Sequence, residues 1–248
     1  RCLKKMKNYK NIFKIKKKIS IILGASRGIG KEIQKAYSQY GSIAYGIGRS
    51  NSKSKNYFQC DILDTNRLQN IFHKIYKKHK HIDILVNCAS ITSSEKQNYK
   101  KNFEDILRTN LTSHFFSSKL FYEYVNKKRG GKIINISSIG SKAGFPDNPA
   151  YVSSKSGISG LTKSLAIDFK KKNINVNSII PGYIKTSMTI NSYKNIIKRD
   201  QRTKRTILKR WGNPEDIVGV AIFLASDASS YMTGSEVVID GGWLAKGL

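Results

Sequence analysis

The chain has 248 residues, enough for one well-buried α/β domain, and no Pro- or Ser-rich linker divides it. Its hydrophobic content of 39% is that of a globular protein. No apolar run approaches the ~20 residues that a membrane span requires. The three cysteines, Cys2, Cys60 and Cys88, form no CxxC pair. The sequence therefore predicts neither a metal site nor a disulfide framework, and it favours a reducing cytoplasm.

The formal net charge of +29 raises the question of a nucleic-acid or membrane-surface partner. The basic residues are scattered along the chain in runs such as KIKKK and FKKKN, and they are not concentrated beside stacking aromatic residues. We therefore expect no specific nucleic-acid partner and no membrane partner. Residues 1–17 are expected to form a basic N-terminal extension, and residues 18–248 a single folded domain.

The first predicted strand, ISII, leads into the glycine-rich turn GASRGIG and then into GKEIQKAYSQYG, whose apolar positions repeat at helical spacing. Such a turn binds either the triphosphate of an ATPase or the pyrophosphate of a dinucleotide. A Walker A loop needs GxxxxGK followed by Ser or Thr. Here the spacing is one residue longer, and Glu32 stands where the hydroxyl is required. The turn therefore favours a dinucleotide, whose pyrophosphate would meet the N-terminus of the helix.

Six more apolar runs follow in chain order and read as strands: SIAYGIG, YFQCD, IDILVNC, KIINIS, INVNSII and SEVVID. Longer amphipathic segments between them read as helices, and NFEDILRTNLTSHFFSSKLFYEYVNKK reads as one of these. Strands this apolar are buried on both faces, which is typical of a parallel sheet covered by helices. The predicted fold is a single Rossmann-type, doubly wound α/β domain, in which ligands bind beyond the carboxyl ends of the strands.

The second strand ends at Arg49, where NAD-binding proteins of this fold carry an acidic residue for the ribose 2′-hydroxyl. No Asp or Glu occurs between Glu32 and Asp61, and Arg27 lies inside the glycine turn. Two arginines in place of a carboxylate favour the 2′-phosphate of NADP. We therefore expect NADP(H), with NAD(H) as the alternative cofactor.

Tyr151 and Lys155 are four residues apart in AYVSSKSG, which places them on one face of a helix. A free tyrosine titrates near ~10, too high for efficient proton transfer at neutral pH. A neighbouring ammonium favours the phenolate, so we expect Lys155 to lower the pKa of Tyr151. The strand KIINIS delivers Ser137 and Ser138 into the loop just before this helix.

These motifs, in this order, resemble the compact subgroup of the short-chain dehydrogenase/reductase family from about Lys18 to Trp243. The matching pieces are GASRGIG, CDI, LVNCAS in place of the family's NNAG, Asn110 in RTNLTS, Ser138 in ISSIGS, YxxxK, PGYIKT and TGSEVVIDGGW. The resemblance implies that residues 18–248 form an NAD(P)-binding catalytic domain that interconverts a ketone and a secondary alcohol by hydride transfer.

The resemblance also implies a role for each catalytic residue. Tyr151 would be the general acid in reduction, and Lys155 would tune it and bind the nicotinamide ribose. Ser138 would hold the substrate oxygen, and Asn110 would bind a water that relays protons to Lys155. The residues expected to contact the cofactor are Gly24, Ser26, Arg27, Gly28, Ile29, Gly30, Arg49, Asp61, Ile62, Asn87, Ala89, Tyr151, Lys155, Pro181, Gly182, Ile184 and Thr186.

Two residues depart from the family pattern. Leu23 replaces the usual Thr before the first glycine, and Ser90 replaces the Gly that ends NNAG. In the family that Thr ties the first turn to the NNAG segment, so both changes fall on one contact and bear on cofactor affinity. Cys88 in place of the second Asn is a smaller change.

Three functions remain open at this point. The leading hypothesis is an NADP(H)-dependent reductase resembling 3-oxoacyl-carrier-protein reductases, or alternatively a sugar, polyol or aldonate dehydrogenase. The second is a non-catalytic dinucleotide-binding regulator, and the third is a nucleic-acid-binding protein on the same fold. In this family the segment between PGYIKT and RWG sets the substrate, and here it carries many basic residues and one acid, Asp200. It suits an anionic or carrier-bound oxo or hydroxy substrate, and the family resemblance implies a homotetramer.

Overall fold

The computed structural model describes residues 11–52, 54–92 and 99–246. Cys2 and residues 1–10 of the expected extension lie outside them. Residues 11–17 pack on the domain, since the side chain of Ile15 is fully buried and the amide of Ala228 donates to the carbonyl of Ile12. Within the described residues, none of the helices has the length and apolar character of a membrane span.

Seven parallel strands form one sheet in the order β3-β2-β1-β4-β5-β6-β7. The strands are β1 (Ile19–Leu23), β2 (Ile43–Gly48), β3 (Tyr57–Gln59), β4 (Ile84–Asn87), β5 (Gly131–Ile136), β6 (Ile174–Pro181) and β7 (Glu236–Ile239). Each predicted strand overlaps one of these strands, so the predicted fold class is confirmed. The order reverses between β1 and β4, and this switch point is where doubly wound folds bind ligands.

Helices cover both faces of the sheet. They are α1 (Gly28–Gln39), α2 (Thr65–His79), α3 (Tyr99–Leu107), α4 (Ser113–Tyr124), α5 (Pro149–Asp168), α6 (Ile190–Lys194), α7 (Ile196–Arg205) and α8 (Glu215–Ala225). Helices α2, α4 and α5 contribute to one core layer, and α1 and α8 to the other. Along β1, Ile21 and Leu23 face the first layer and Ile22 the second. This alternation is why the strands are apolar on both faces.

The segment predicted as one helix before β5 is divided into α3 and α4 by a π-helical turn, Arg108–Thr112. A π turn holds one extra residue and is frequent at functional sites. The turn contains Asn110, which is fully buried.

Candidate active site

One cleft lies at the carboxyl ends of the strands, beside the switch point between β1 and β4. Sixteen residues predicted from the sequence line it: Gly24, Ser26, Arg27, Gly28, Ile29, Arg49, Asp61, Ile62, Ala89, Ser138, Tyr151, Lys155, Pro181, Gly182, Ile184 and Thr186. The fold therefore brings the glycine turn, both arginines and the Ser–Tyr–Lys group into one cavity.

The turn between β1 and α1 requires glycine for steric reasons. Gly24 has φ +84°, and a Cβ on it would lie 2.6 Å from the amide nitrogen of Ala89. A Cβ on Gly30 would lie 2.4 Å from the carbonyl oxygen of Gly24. Helix α1 begins after Arg27, whose side chain makes no capping hydrogen bond. Because no side chain caps it, the N-terminus of α1 can receive an anion, and the turn fits the pyrophosphate of a dinucleotide.

The two arginines lie at the end of the cleft formed by β2 and the glycine turn. The side chains of Arg27 and Arg49 are both exposed. The side-chain Nε2 of Gln59 donates to the carbonyl of Arg49 at 2.8 Å, which fixes the backbone there. Asp61 also lines this end, and its carboxylate accepts the amide of Leu63 at 3.0 Å. The cationic pair fits the 2′-phosphate of NADP.

The Ser–Tyr–Lys group lies on the opposite wall. Ser138 follows β5, and its hydroxyl accepts the amide of Gly140 at 3.1 Å. Tyr151 and Lys155 lie in the first two turns of α5, with the Lys155 Nζ 5.7 Å from the centre of the Tyr151 ring. Lys155 is 2% exposed, and its Nζ donates to the carbonyl of Ile136 at 2.9 Å. A backbone carbonyl therefore fixes the ammonium beside the tyrosine.

The sequence analysis predicts that the pKa of Tyr151 is lowered, and for this structure that prediction is wrong. Burial raises the pKa of the Tyr151 hydroxyl, and hydrogen bonding to Ser138 opposes this increase without overcoming it. Burial also lowers the pKa of Lys155 to about 8, while the thiol of Cys88 raises it. Desolvation penalises the charged form of both groups, and it is the largest cause of each pKa shift.

Three predicted residues do not line the cleft. Gly30 is buried in the first turn of α1, and the atoms nearest to a Cβ there would belong to Gly24 and Ala25. The Asn87 amide donates to Ser118 and Asn135, and its carbonyl oxygen accepts the Ser117 hydroxyl. Asn87 therefore supports the end of β4 from behind the cleft.

The third is Asn110. Its Oδ1 accepts the amide of Ile91 at 2.8 Å, and its Nδ2 donates to the carbonyl of Ile91 at 2.8 Å and to Ser154 at 3.1 Å. All three bonds are internal, so the side chain clamps the loop after β4 to α5. The π turn allows this clamp because it displaces Asn110 from regular helical spacing.

The departures at Leu23 and Ser90 leave the backbone contact in place. The amide of Cys88 donates to the carbonyl of Leu23 at 3.0 Å, and Ala89 packs against Gly24. His114 adds a link that the sequence analysis missed, since its Nε2 lies 3.1 Å from the carbonyl oxygen of Ala89. The Ser90 hydroxyl is buried without a hydrogen-bond partner in the part of the chain that the structure describes.

Thr189 is a further site residue that the sequence motifs do not predict. Its hydroxyl donates to the carbonyl of Ile184 at 2.5 Å and accepts the amide of Thr186 at 3.0 Å. These bonds close the turn after β6, which carries three predicted cofactor contacts. Ser and Thr hydroxyls in loops commonly form hydrogen bonds with backbone groups a few residues away. A Thr at this position after β6 could therefore have been identified from the sequence as a residue that stabilises the turn.

Comparisons with known proteins give the family of the chain. A family model described as enoyl-(acyl carrier protein) reductase matches residues 24–244. The 3-oxoacyl-[acyl-carrier-protein] reductase FabG of Buchnera aphidicola is 36% identical, and the match covers 92% of this chain and 98% of the relative. The 2-dehydro-3-deoxy-D-gluconate 5-dehydrogenase of Bacillus subtilis is 35% identical over 94% of this chain and 97% of its own.

Among solved structures, a gluconate 5-dehydrogenase from Burkholderia cenocepacia in complex with NADP and tartrate aligns with a TM-score of 0.89. It is 26% identical, and the alignment covers 95% of this chain and 98% of that one. Fold and site together define an oxidoreductase that acts on alcohol and ketone groups with a nicotinamide dinucleotide. The chain belongs to the short-chain dehydrogenase/reductase family.

Proposed function

We propose that the protein interconverts a ketone and a secondary alcohol with NADP(H), using Tyr151 as the proton-transferring residue. The observation that carries the proposal is that Ser138, Tyr151 and Lys155 share one cleft with a glycine turn that fits a pyrophosphate. A non-catalytic regulator would need the glycine turn to bind a dinucleotide, but it would have no need for Ser138, Tyr151 and Lys155 in the same cleft.

In this proposal, different residues of the cleft bind different parts of the dinucleotide. The N-terminus of α1 and its glycine turn hold the pyrophosphate, and Arg27 and Arg49 hold the 2′-phosphate. Asp61 and Ile62 meet the adenine, and Asn87 supports the adenosine ribose site through Ala89. Pro181, Gly182, Ile184 and Thr186 hold the nicotinamide, whose chemistry when bound is the supply or removal of a hydride.

The protein's own residues supply the proton. Ser138 donates a hydrogen bond to the substrate oxygen, and Tyr151 gives its proton to that oxygen in reduction. Because burial keeps Tyr151 protonated, the donor form is available at neutral pH. Lys155 binds the nicotinamide ribose and stabilises the phenolate that results. Asn110 fixes the loop from which a water-mediated relay to Lys155 would run.

Two substrate classes agree with the relatives. The first is a 3-oxoacyl thioester on a carrier, as in the FabG proteins. The alternative is a sugar, polyol or aldonate, as in the gluconate dehydrogenases. The cationic helix α7, which carries three arginines and two lysines beside a single acid, favours an anionic substrate in either class.

We also propose a homotetramer in a reducing cytoplasm. Apolar side chains on α3 and α4 support assembly, because Phe103, Phe115 and Phe116 are 38%, 41% and 46% exposed. Cys60 and Cys88 are free thiols, which fits a reducing compartment.

The proposed function is tested by following NADPH consumption with a panel of oxo compounds that includes an acetoacetyl thioester and several keto sugars. Tyr151→Phe keeps the ring but removes the proton donor. Its kcat should therefore fall by about 10²–10⁴-fold, while the Kd for NADPH stays unchanged. Full turnover by Tyr151→Phe with the best substrate would make Tyr151 structural and overturn the assignment.

A further inference from the structure

Helix α4 presents a row of buried polar side chains to the segment that follows β4. The Ser117 hydroxyl donates to the Asn87 Oδ1 at 2.7 Å, and the Asn87 Nδ2 donates to the Ser118 hydroxyl at 3.2 Å. One turn earlier on the helix, the Nε2 of His114 lies 3.1 Å from the carbonyl oxygen of Ala89. Side chains three and four residues apart share one face of a helix. This face of α4 therefore contacts both the end of β4 and the cleft wall after it.

The protonation of His114 follows from its partner and its burial. A carbonyl oxygen can only accept a hydrogen bond, so the Nε2 that faces Ala89 carries the ring proton. Burial is the main cause that lowers the pKa of His114 to about 3, and the charge of Lys155 acts in the same direction. The ring is therefore neutral at neutral pH. Its Nδ1 is buried without a hydrogen-bond partner among the described residues, so the polar contribution of the ring is the bond through Nε2.

Ala89 is held between this helix and the glycine turn. It lines the cleft, and its amide nitrogen would lie 2.6 Å from a Cβ on Gly24. On the side of the turn, the amide of the preceding Cys88 donates to the carbonyl of Leu23 at 3.0 Å. On the opposite side, the imidazole of His114 donates to the carbonyl of Ala89 itself. Without that donor, the Ala89 carbonyl would lose its bond to α4, and only the turn would still restrain the wall.

We propose that His114 is a positioning residue for NADP(H), which sets the affinity for the cofactor by holding the Ala89 carbonyl against α4. His114 does not line the cleft in the part of the chain that the structure describes, so it acts through Ala89 and does not touch the cofactor. This inference rests on the proposed NADP(H)-dependent function. It adds to that function a residue outside the cleft on which binding of the adenosine ribose depends.

The test compares two substitutions that differ in their ability to donate. His114→Leu fills the site with an apolar side chain and removes the donor. His114→Gln keeps a neutral N–H donor at a similar distance from the main chain. Fluorescence titration should show NADPH binding about 10-fold weaker in His114→Leu, the ratio that corresponds to the loss of one hydrogen bond. Binding to His114→Gln should stay close to that of the wild type.

Ser113→Ala is the matched control on the same helix. Ser113 is 3% exposed, and its hydroxyl donates to the carbonyl of Thr109 in the preceding turn. Its loss removes a buried polar group from α4 without touching the segment after β4, so the Kd for NADPH should not change. With an oxo substrate that the wild type reduces, His114→Leu should raise the KM for NADPH. The kcat at saturating NADPH should be kept, because Tyr151 and Lys155 are unaltered.

Thermal unfolding without cofactor separates positioning from stability. Under the proposal, NADPH affinity follows the presence of a donor at position 114, whichever variant melts higher. Affinity that follows the melting temperature instead, wild-type affinity in His114→Leu, or no recovery in a folded His114→Gln would overturn the inference. His114→Met, whose flexible side chain adapts to the space, replaces His114→Leu if the latter does not fold. A wild type that binds NADPH but reduces no oxo compound would contradict the proposed function, and the binding comparison would still decide the role of His114.

Discussion

At the scale of single residues, burial controls the catalytic group. Tyr151 and Lys155 are both shielded from water, and burial raises the pKa of Tyr151 while it lowers that of Lys155 to about 8. The tyrosine is thus held in its proton-donating form. The ammonium of Lys155 is the group of the pair whose charge changes closest to neutral pH.

The pH dependence of reduction should therefore follow Lys155. Its protonated fraction falls as the pH rises through about 8, so kcat/KM for reduction should decrease there. Lys155→Arg keeps its charge at every accessible pH, because arginine titrates above about 12. The decrease should be absent from its profile, whatever its absolute rate. A decrease that persists unchanged in Lys155→Arg would assign the titration to another group.

Cofactor choice is also decided by individual side chains. Arg27 and Arg49 are exposed beside the cleft, and each is expected to form charge-assisted hydrogen bonds worth about 1.5–3 kcal/mol with the 2′-phosphate. NADPH should therefore bind more tightly than NADH. Arg49→Asp should shift this preference toward NADH, because a carboxylate repels the phosphate and accepts the ribose hydroxyl. Fluorescence titration measures both affinities, and equal Kd values in the wild type would contradict the assignment.

The sequence predicts which residues line the cleft better than it predicts how far these residues are buried and how their pKa values shift. Motif spacing places Ser138, Tyr151 and Lys155 together because a helix and a strand end have fixed geometry. It does not show how much protein covers them, and the pKa direction of Tyr151 depends on that cover. His114 has no motif, since its bond to Ala89 arises from tertiary packing.

At the scale of secondary structure, the turn between β1 and α1 is the most constrained element. Ala at Gly24 would enter the left-handed region, at a cost of about 1–2 kcal/mol, and its Cβ would collide with Ala89. This collision would displace Ala89, which lines the cleft. We expect Gly24→Ala to lower the melting temperature and to weaken NADPH binding by at least about 10-fold.

Gly144→Ala provides the control for this variant. A Cβ there would meet nothing within 4 Å, and the residue has no positive φ. Its NADPH affinity and melting temperature should match those of the wild type. Wild-type NADPH affinity in Gly24→Ala would show that the turn tolerates a side chain and would remove the steric argument.

The seven strands are predictable because each is a short apolar run with a turn signal at its end. The π turn at Arg108–Thr112 is not, since its sequence continues the helical pattern and the extra residue is held by Asn110 bonding to Ile91. Helices α6 and α7 were not predicted either. Their residues are mostly polar, and α7 buries none of its side chains fully, so little apolar periodicity marks them.

At the scale of the whole molecule, charge and exposed apolar surface act in opposite directions on assembly. The net charge of +29 makes copies of the chain repel one another. The neighbouring rings of Phe115 and Phe116 on α4, 5.9 Å apart, form an apolar surface that association would cover. Salt screens the repulsion and leaves the apolar contact nearly unchanged, so assembly should strengthen as ionic strength rises.

We therefore expect a homotetramer of the 28.0 kDa chain, with a mass by light scattering that holds at micromolar concentration and in moderate salt. Phe116→Ser removes apolar area from α4 and should shift the mass toward smaller species, most clearly at low salt where repulsion is strongest. Tyr40→Ser is the matched control, because Tyr40 is 54% exposed at the end of α1, away from α4. A monomeric mass for the wild type at every salt concentration would contradict the tetramer. A Phe116→Ser protein that assembles like the wild type would place the interface on another surface.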